Sequence, residues 1–494
     1  MLHKVVRENL EEFLREARGG SEDGEGVPDF VVDELRRFLK CGSLSGGFAR
    51  LKCEKCGKER LVPFSCKRRA ACPSCAGRRM AELAAHLVDS VFPLVPVRQW
   101  VLSLPFVLRY RLAWDHALSL KVLRIFWRTV ERFQKRRAKE RGLPGAKTGG
   151  VTVIQRAGGA LNLNVHFHLA ALDGVFVEVD GQLLFHKLPA PSTEDVAAIV
   201  KSVRKGVLRV LGRSRISTGK DGEYGWEDPF VEESPSLAAA CGASVQGISA
   251  FGPRTGQRVR RIGEEPDEIV KVLKRKRHAR YQGFDLHAGA PAKAEERDHL
   301  ERLLRYLLRP PIAESRLREL PDGNILLTQK TKWSDGTTAL VFHPLELLER
   351  LAAIIPRPKI NMLIYHGVLA PKAKWRKRVV AYKRPVVQVE PASDQEGGDA
   401  VDPRPEKPRY YAWADLMRRT FGYDVNACLE CGGRMKLIAI IEEPAVIAKI
   451  LSHLGLPTEP PQAHPARPPP EQLELPELIE RELDEPIDEP STDF

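Results

Sequence analysis

The stretch that decides the fold reads LNLNVHFHLAALDGVF, residues 161–176. Apolar and polar residues alternate through its first half, and alternation with a period of two predicts a half-buried β-strand. Successive side chains of a strand point to opposite faces. One face then carries the polar set Asn162, Asn164, His166 and His168. The sequence therefore predicts a core strand that holds two imidazoles side by side.

The segments around this strand predict the rest of a small sheet. Alternating residues over 98–105 and 150–158 favour two further strands, and helical patterns cover 115–142 and 192–212. The residues after the opening stretch, EVDGQLLFHKL, continue it as a hairpin. The order β-α-β-β-α is typical of a ferredoxin-like α+β sheet. Residues 213–290 are Gly-rich and basic and are expected to be irregular.

Shifts in composition divide the chain into five parts. Cysteines concentrate near the N-terminus, and a Pro-rich, acidic segment separates the large middle part from a last cysteine pair. The predicted parts are an N-terminal helical and cysteine-rich unit (1–90), a central α+β domain (91–384), a linker (385–407), a small C-terminal cysteine-pair unit (408–456) and a disordered acidic Pro-rich tail (457–494).

Charge points to a polyanionic partner. The 494 residues include 78 Lys and Arg against 65 Asp and Glu, which gives a net charge of +13. Because the tail is acidic, the folded body is more basic than this total. Nucleic acid is the first expectation and an anionic membrane surface the second. No apolar run approaches the ~18 residues of a membrane span, and no secretory signal opens the chain, so we expect a cytoplasmic, nucleoid-associated protein.

Four cysteines have the spacing of a zinc site. Cys53, Cys56, Cys72 and Cys75 form C-x2-C-x15-C-x2-C, and two knuckles joined by a hairpin could place four thiolates around one Zn²⁺. A closed four-thiolate site leaves no open position, so this zinc is expected to be structural. The alternative is a set of unligated core cysteines.

The remaining cysteines have less obvious roles. Cys41 and Cys66 could ligate a second ion or replace one ligand, although buried thiols are the simpler interpretation. Cys428 and Cys431 form a single knuckle without an evident partner, for which His453 is the nearest possible third ligand.

Basic and aromatic side chains are candidates for DNA contacts. The cations near the cysteines include Arg68, Arg69 and Arg78. A second group could follow a DNA backbone and stack on bases, namely Arg98, Trp100, Lys374, Trp375 and Arg376. The alternative for each is ordinary solvated surface.

The histidine pair is a candidate metal site. Neutral imidazoles of His166 and His168, two residues apart on one strand face, are close enough to hold one divalent ion between them. The alternative is two hydrogen-bonded histidines on a hydrated sheet face.

A candidate nucleophile lies downstream in HLERLLRYLLRPP, residues 299–311. Leucines recur there with helical spacing, and Tyr306 falls on the face opposite to them, together with Arg302 and Arg309. Flanking guanidiniums favour a phenolate and can hold a phosphate. The alternative is a surface tyrosine on a basic helix.

These motifs resemble the rolling-circle insertion-sequence transposases of the HUH endonuclease superfamily. The resemblance includes HFH (166–168) and covers nearly the whole chain. The other similar segments are SCKRRAACPSCAGRRMAE (65–82), VPVRQWVLSLPFVLRY (95–110), RYLLRPPIAESRL (305–317), WSDGTTALVFHPLELLERLAAIIP (333–356), YHGVLAP (365–371) and CLECGGRMKLIAII (428–441).

The resemblance implies a DNA strand transferase with a ferredoxin-like or RRM-like HUH domain, an N-terminal zinc ribbon and a zinc-knuckle-like C-terminal unit. It implies that His166 and His168 hold Mg²⁺ or Mn²⁺ and that Tyr306 attacks single-stranded DNA at the ends of a mobile element, leaving a 5′-phosphotyrosine link. A third metal ligand is expected. Gln155 is the first choice, with Asp173 and His287 as alternatives.

One departure from the pattern changes the expected mechanism. Members with two tyrosines carry Y-x-x-x-Y on this helix, but Arg302 stands four residues before Tyr306. The resemblance therefore implies a single nucleophile. Two other classes stay open: a zinc-ribbon DNA-binding regulator without catalysis, and a metallonuclease in which water attacks. Neither predicts a small-molecule substrate.

Overall fold

A computed structural model describes residues 1–19, 24–213, 228–263, 276–333, 335–380 and 412–467. The predicted linker, 385–407, lies outside these ranges, as do residues 468–494 of the predicted tail. Residues 457–467 of that tail are described, and the backbone nitrogen of His464 donates to the backbone oxygen of Arg7 on α1, so the prediction of disorder from 457 onward is wrong for this part. Within the described ranges, no helix combines the length and the apolar character that crossing a membrane requires.

Helices are distributed along the whole described chain. They are α1 (Leu2–Gly19), α2 (Asp29–Leu39), α3 (Pro73–Ser90), α4 (Phe106–Trp114), α5 (His116–Glu140), α6 (Thr193–Arg213), α7 (Pro229–Glu233), α8 (Pro235–Gln246), α9 (Arg297–Leu308), α10 (Pro344–Ile354), α11 (Arg376–Val379), α12 (Trp413–Phe421) and α13 (Pro444–His453).

Within the residues that the structure describes, the strands form four antiparallel sheets. The strands are β1 (Phe48–Cys53), β2 (Glu59–Pro63), β3 (Val97–Ser103), β4 (Gly149–Ala157), β5 (Leu163–Leu172), β6 (Gly174–Val179), β7 (Gln182–Lys187), β8 (Arg260–Gly263), β9 (His278–Tyr281), β10 (Phe284–Ala292), β11 (Leu317–Glu319), β12 (Ile325–Thr328), β13 (Thr337–Phe342), β14 (Leu363–Gly367) and β15 (Met435–Ile441). The sheet orders are β15-β1-β2, β14-β4-β5-β3-β10-β9, β11-β12-β13-β8 and β6-β7.

The six-stranded sheet places the histidine strand inside. Strand β5 pairs with β4 on one side and β3 on the other. In this register His166 lies opposite Gln155 and Ser103, and His168 lies opposite Val153 and Val101. A strand with partners on both edges has its backbone hydrogen bonds fixed, so the two imidazoles sit on a rigid support.

Helices cover both faces of this sheet. The odd-numbered side chains of β5, such as Phe167 and Leu169, are fully buried in a cluster with residues of α5 and α6. The even-numbered positions beyond the histidines, Ala170 and Leu172, belong to a second cluster that includes Leu300 and other leucines of α9. Because side chains alternate along β5, the imidazoles lie on the face that α9 covers.

The N-terminal and C-terminal parts of the described chain meet in the three-stranded sheet. Strand β15 pairs with β1, with Phe48 opposite Ile441 and Cys53 opposite Met435. The core of this region joins Phe48 to Ile447 and Leu451 of α13. The units predicted over 1–90 and 408–456 therefore share one sheet.

The α+β prediction is confirmed, and the helices and strands predicted around the histidines are present within a few residues of the expected bounds. The expectation of irregular structure over 213–290 is wrong for part of that range. Strand β10 lies there and pairs with β3 in the main sheet. The second half of β10, AGAPA over 288–292, has only small residues, a glycine and a proline, which weakens the alternation that reveals a strand.

Candidate functional site

His166 is held in one tautomer by its own strand. Its Nδ1 lies 2.8 Å from the backbone oxygen of Asn164. A carbonyl oxygen can only accept, so Nδ1 carries the proton and donates it. Nε2 therefore bears the lone pair, which is the form in which a neutral imidazole binds a metal ion.

His168 is the more deeply buried imidazole. Its ring centroid lies 4.8 Å from that of His166, and the amide nitrogen of Gln99 lies 3.0 Å from its Nδ1. The Nε2 atom is buried and has no hydrogen-bond partner among the described residues. A buried polar atom without a partner is costly, and Nε2 can act as a ligand atom once the Gln99 amide is turned so that its oxygen faces Nδ1.

Burial keeps both imidazoles neutral. It lowers the pKa of His168 to about 2, with smaller contributions from His166 and the Arg309 guanidinium. Burial also lowers the pKa of His166, and Arg309 and Arg109 add to that effect. Protons therefore do not compete with a cation at these nitrogens near neutral pH.

Tyr306 contacts the imidazole ring of His168. Its ring lies 5.9 Å from the His168 ring, edge to face, and 45% of the residue is exposed. Leu300, Leu304 and Leu307 of α9 are buried against the sheet, as the helical spacing predicts. The Arg309 guanidinium covers the Tyr306 ring at 4.4 Å from its centroid. The structure thus brings together an accessible phenol, a cation and two neutral imidazoles.

Charged contacts fix the position of α9. The buried carboxylate of Glu301 pairs with Arg419 of α12 at 2.7 Å, and Arg419 also binds Asp89 of α3 at 2.6 Å. One turn further along, Arg305 donates to the backbone oxygen of Thr420 at 2.8 Å. Through Arg419 and Thr420 the C-terminal unit therefore holds α9, the helix that carries the tyrosine, in place; we call these contacts the clamp on α9.

The three candidates for a third ligand occupy different environments. Gln155 lies opposite His166, and its amide nitrogen donates to the backbone oxygen of Leu307. The Asp173 carboxylate is buried and accepts two hydrogen bonds from the Arg98 guanidinium, at 2.7 and 2.8 Å. In the described part of the chain, no carboxylate, thiol or third imidazole joins the histidine pair in a set of ligand atoms within 4.8 Å of one another.

His287, the last candidate, lies two strands away from His168. Val101 of β3 is opposite both residues, so the distance is about 10 Å at the usual strand spacing. Gln155 is therefore the best placed of the three.

Eight cysteines form two clusters. The first thiol cluster is Cys41, Cys66, Cys72 and Cys75, and the second is Cys53, Cys56, Cys428 and Cys431; within each, all sulfurs lie within 4.8 Å. The hydrogen-bonding sulfur pairs are 3.5–3.7 Å apart. Four sulfurs at about 2.3 Å from a tetrahedral zinc would be about 3.8 Å apart. Both clusters therefore fit a structural zinc ion.

Local contacts shape each thiol cluster. A Glu34 oxygen accepts from the backbone nitrogens of Arg69, Ala70 and Ala71, which fixes the loop before Cys72. At the second cluster, a Cβ added to Gly433 would lie 3.1 Å from the Cys53 sulfur. This position requires glycine because the two knuckles pack closely.

Two family models match the chain. Residues 149–377 match the model described as "Putative transposase", and residues 5–104 match the IS91-type model described as "Transposase zinc-binding domain". The chain belongs to a transposase family. No curated protein and no solved structure matches it. The first match contains both histidines and Tyr306, and the second contains the first thiol cluster. DNA is therefore a partner of this transposase.

The predicted grouping of cysteines in the transposase needs correction. Spacing assigned Cys53, Cys56, Cys72 and Cys75 to one ion, but the first two belong to one cluster and the last two to the other. Cys41 and Cys66 complete the first cluster. Pairing of β15 with β1 brings the late knuckle to the early one, so His453 is not needed as a ligand. Three C-x2-C knuckles together with Cys41 and Cys66 give eight thiols, enough for two four-thiolate sites, and this count was the available signal.

Several predicted DNA contacts are also corrected. Trp375 is 6% exposed and is covered by Lys147 at 4.0 Å, so its ring is not available to stack on bases. Trp100 and Arg98 are buried as well. The Arg376 guanidinium donates a hydrogen bond to the backbone oxygen of Leu369, whereas Lys374 is exposed.

The cations near the first thiol cluster of the transposase differ in accessibility. Arg69 is exposed, and Arg78 is half-buried. Arg68 binds Asp33 at 3.1 Å. Arg302, on α9, is exposed. Sequence reasoning missed Gln99 beside His168 and Arg419 behind α9, because neither belongs to a local motif.

Proposed function

We propose that this transposase nicks and rejoins single-stranded DNA through Tyr306, with a 5′-phosphotyrosine intermediate and a divalent ion at His166 and His168. The observation that carries the proposal is the placement of an accessible phenol over two buried neutral imidazoles, 5.9 Å from ring to ring. This is the arrangement expected of an HUH tyrosine transposase that acts in rolling-circle transposition. A regulator without catalysis would leave it unexplained.

The strand order supports an HUH-type domain. Strands β3, β4, β5 and β10 occur in that chain order, with α5 after β3 and α6 between β5 and β10. In the sheet they stand as β4-β5-β3-β10, all antiparallel. A ferredoxin-like β-α-β-β-α-β unit has this arrangement, with both helices on one face. The opposite face, which holds the histidines, is the one that α9 covers.

The residues present fit Mg²⁺ or Mn²⁺. The tautomer of His166 leaves a lone pair on its Nε2. A half-turn of the Gln99 amide would place its oxygen at Nδ1 of His168, so that Nε2 of this second ring also carries a lone pair for a metal ion. Gln155 would supply an amide oxygen, because its nitrogen already donates to Leu307. When bound, the ion would polarise the scissile phosphate and stabilise the charge that develops on it.

The chain's own residues account for the rest of the chemistry. The Tyr306 oxygen attacks the phosphorus, the new bond is O–P, and the bond that breaks joins the phosphorus to the 3′ oxygen of the preceding nucleotide. The phenol proton leaves to water, and the departing oxygen takes up one proton to become a 3′-OH. Arg309, stacked on the phenol, would hold the phosphate. Rejoining is the reverse attack by a 3′-OH and needs no nucleotide hydrolysis.

A denaturing gel tests this proposal. Labelled single-stranded DNA with Mn²⁺ should give a covalent protein–DNA band that a chelator abolishes and that Tyr306→Phe does not form. Tyr365→Phe is the matched control, since Tyr365 is a half-buried tyrosine on β14 of the same sheet. Cleavage without any adduct would indicate attack by water and would overturn the proposal, as would adducts from Tyr306→Phe.

A further inference from the structure

A cavity of about 550 Å³ opens beside the histidine strand. Its walls come from the β4–β5 loop at Gly159, from the start of β5 at Asn164, and from Arg258, Arg261, Trp333 and Arg350. This volume is typical of a site for a small organic group rather than for water. The proposed chemistry at Tyr306 does not use the cavity.

Two polar atoms of the cavity lining are buried and lack partners. The Asn164 side-chain oxygen has no hydrogen-bond partner among the described residues. Arg350 is fully buried and donates from its terminal nitrogens to the backbone oxygens of Ala243 and Ile248, but its Nε has no partner within the described chain. The protein therefore leaves one acceptor and one donor of the residues around the cavity without hydrogen bonds of their own.

The other walls suit an aromatic, anionic ligand. Trp333 offers a ring, and the Arg261 guanidinium lies 5.7 Å from its centroid. Arg261 also binds Asp335 at 2.7 Å outside the cavity, and Arg258 is exposed at its edge. Among the described residues that line the cavity, none is acidic. A nucleotide combines a flat ring, an edge of donors and acceptors, and a negative phosphate.

The cavity is next to the proposed reaction centre. Asn164 precedes His166 by two residues on β5 and shares its face, about 7 Å away along the strand. The backbone oxygen of Asn164 accepts a hydrogen bond from Nδ1 of His166 at 2.8 Å. A DNA strand with its scissile phosphate at Tyr306 would therefore pass the cavity with a neighbouring nucleotide.

We infer that this cavity receives one unstacked base of the single-stranded DNA, with Trp333 as its stacking platform and the Asn164 side chain at its edge. The inference rests on the proposed function for the position of the strand. It assigns the cavity a role in holding the nucleotide next to the cleaved bond, and thus in setting the register of cleavage.

Photocrosslinking and a cavity-filling variant test this inference. In a Tyr306→Phe background, which keeps the DNA intact, oligonucleotides with one 5-iododeoxyuridine at successive positions should crosslink to Trp333, as mapped by mass spectrometry. Gly159→Leu should fill the cavity, because an added Cβ there lies 3.8–3.9 Å from Gln329 and Trp333 without a clash. We expect Gly159→Leu and Trp333→Ala to weaken DNA binding about 10-fold, with Trp333→Phe close to the parent chain.

Gly242→Leu is the matched control, since an added Cβ at that helical glycine would contact nothing within 4 Å. Zinc content and circular dichroism verify that each variant is folded. Unchanged binding in both Gly159→Leu and Trp333→Ala, or crosslinks confined to other residues, would overturn the base pocket while leaving the tyrosine chemistry intact. Crosslinking at Trp333 in a chain that never forms an adduct would instead overturn the tyrosine chemistry and support the pocket.

Discussion

The Tyr306 ring meets the His168 imidazole edge to face, with the ring planes 86° apart and the centroids separated by 5.9 Å. The two residues come from α9 and from the interior strand β5, which are distant in sequence. The leucines of α9 pack on the sheet face that carries the imidazoles, so burying these leucines also brings the Tyr306 phenol next to His168. Hydrophobic packing therefore assembles the candidate site, and the polar residues complete it.

Zinc content distinguishes two thiol clusters from one. The purified transposase should contain two zinc ions per chain, measured by inductively coupled plasma mass spectrometry. Cys75→Ser and Cys431→Ser should each lower the content to one, because they damage different clusters. Cys241→Ser is the control, since Cys241 is buried outside both clusters, beside the backbone oxygen of Ala353. Retention of two ions in Cys431→Ser would contradict the second cluster.

Arg302 on α9 and Arg309, the residue just after this helix, should differ in their effects. Arg309 covers the phenol at 4.4 Å, whereas Arg302 is exposed a turn away. We expect Arg309→Ala to slow adduct formation about 10- to 100-fold, because it removes a cation next to the nucleophile and the phosphate. Arg302→Ala should slow it less, and Arg309→Lys should recover part of the rate. Equal losses in the two alanine variants would show that the stacked position has no special role.

The clamp on α9 predicts a stability effect. Arg419→Ala leaves the buried Glu301 carboxylate without its partner, so we expect a loss of about 3 kcal/mol in the free energy of unfolding, measured in urea. Hydrogen exchange over Arg297–Leu308 should rise at the same time. Arg418→Ala is the neighbouring control, because its pair with Asp415 is exposed and should change stability by less than about 1 kcal/mol. Unaltered exchange in α9 would argue against the clamp.

The buried side chain of His366 should make the stability of the fold depend on pH. It is buried, stacks on Trp127 at 4.9 Å and hydrogen-bonds Thr152 at 2.9 Å. Burial lowers its pKa from 6.5 to about 4. Between these values the unfolded chain binds a proton that the folded chain does not, so stability falls as pH falls from 6.5 toward 4. The loss from this group at pH 5 is about 2 kcal/mol relative to pH 7.5.

His366→Gln should remove that component. Its thermal midpoint should fall less than that of the parent chain between pH 7.5 and pH 5. His299→Gln is the control at an exposed histidine. If both variants lose as much stability as the parent, His366 is not the source.

The sequence by itself determined the features that depend on local spacing. Alternation set β5 and put His166 and His168 on one face, and helical periodicity separated Tyr306 from the buried leucines of α9. These patterns follow from the fixed geometry of strands and helices, which needs no knowledge of distant residues. Local spacing of the cysteines likewise identified the zinc-binding motifs, and composition alone gave the basic character of the chain.

Only the tertiary structure decided which distant parts meet. Spacing joined Cys53 to Cys72, but strand pairing gives Cys53 the partners Cys428 and Cys431 from the other end of the chain. Burial removed Trp375 from the set of base-stacking candidates. The reason is physical: a thiol or a ring has the same local sequence signature whatever packs against it, and that neighbour is fixed by the burial of apolar surface over the whole fold.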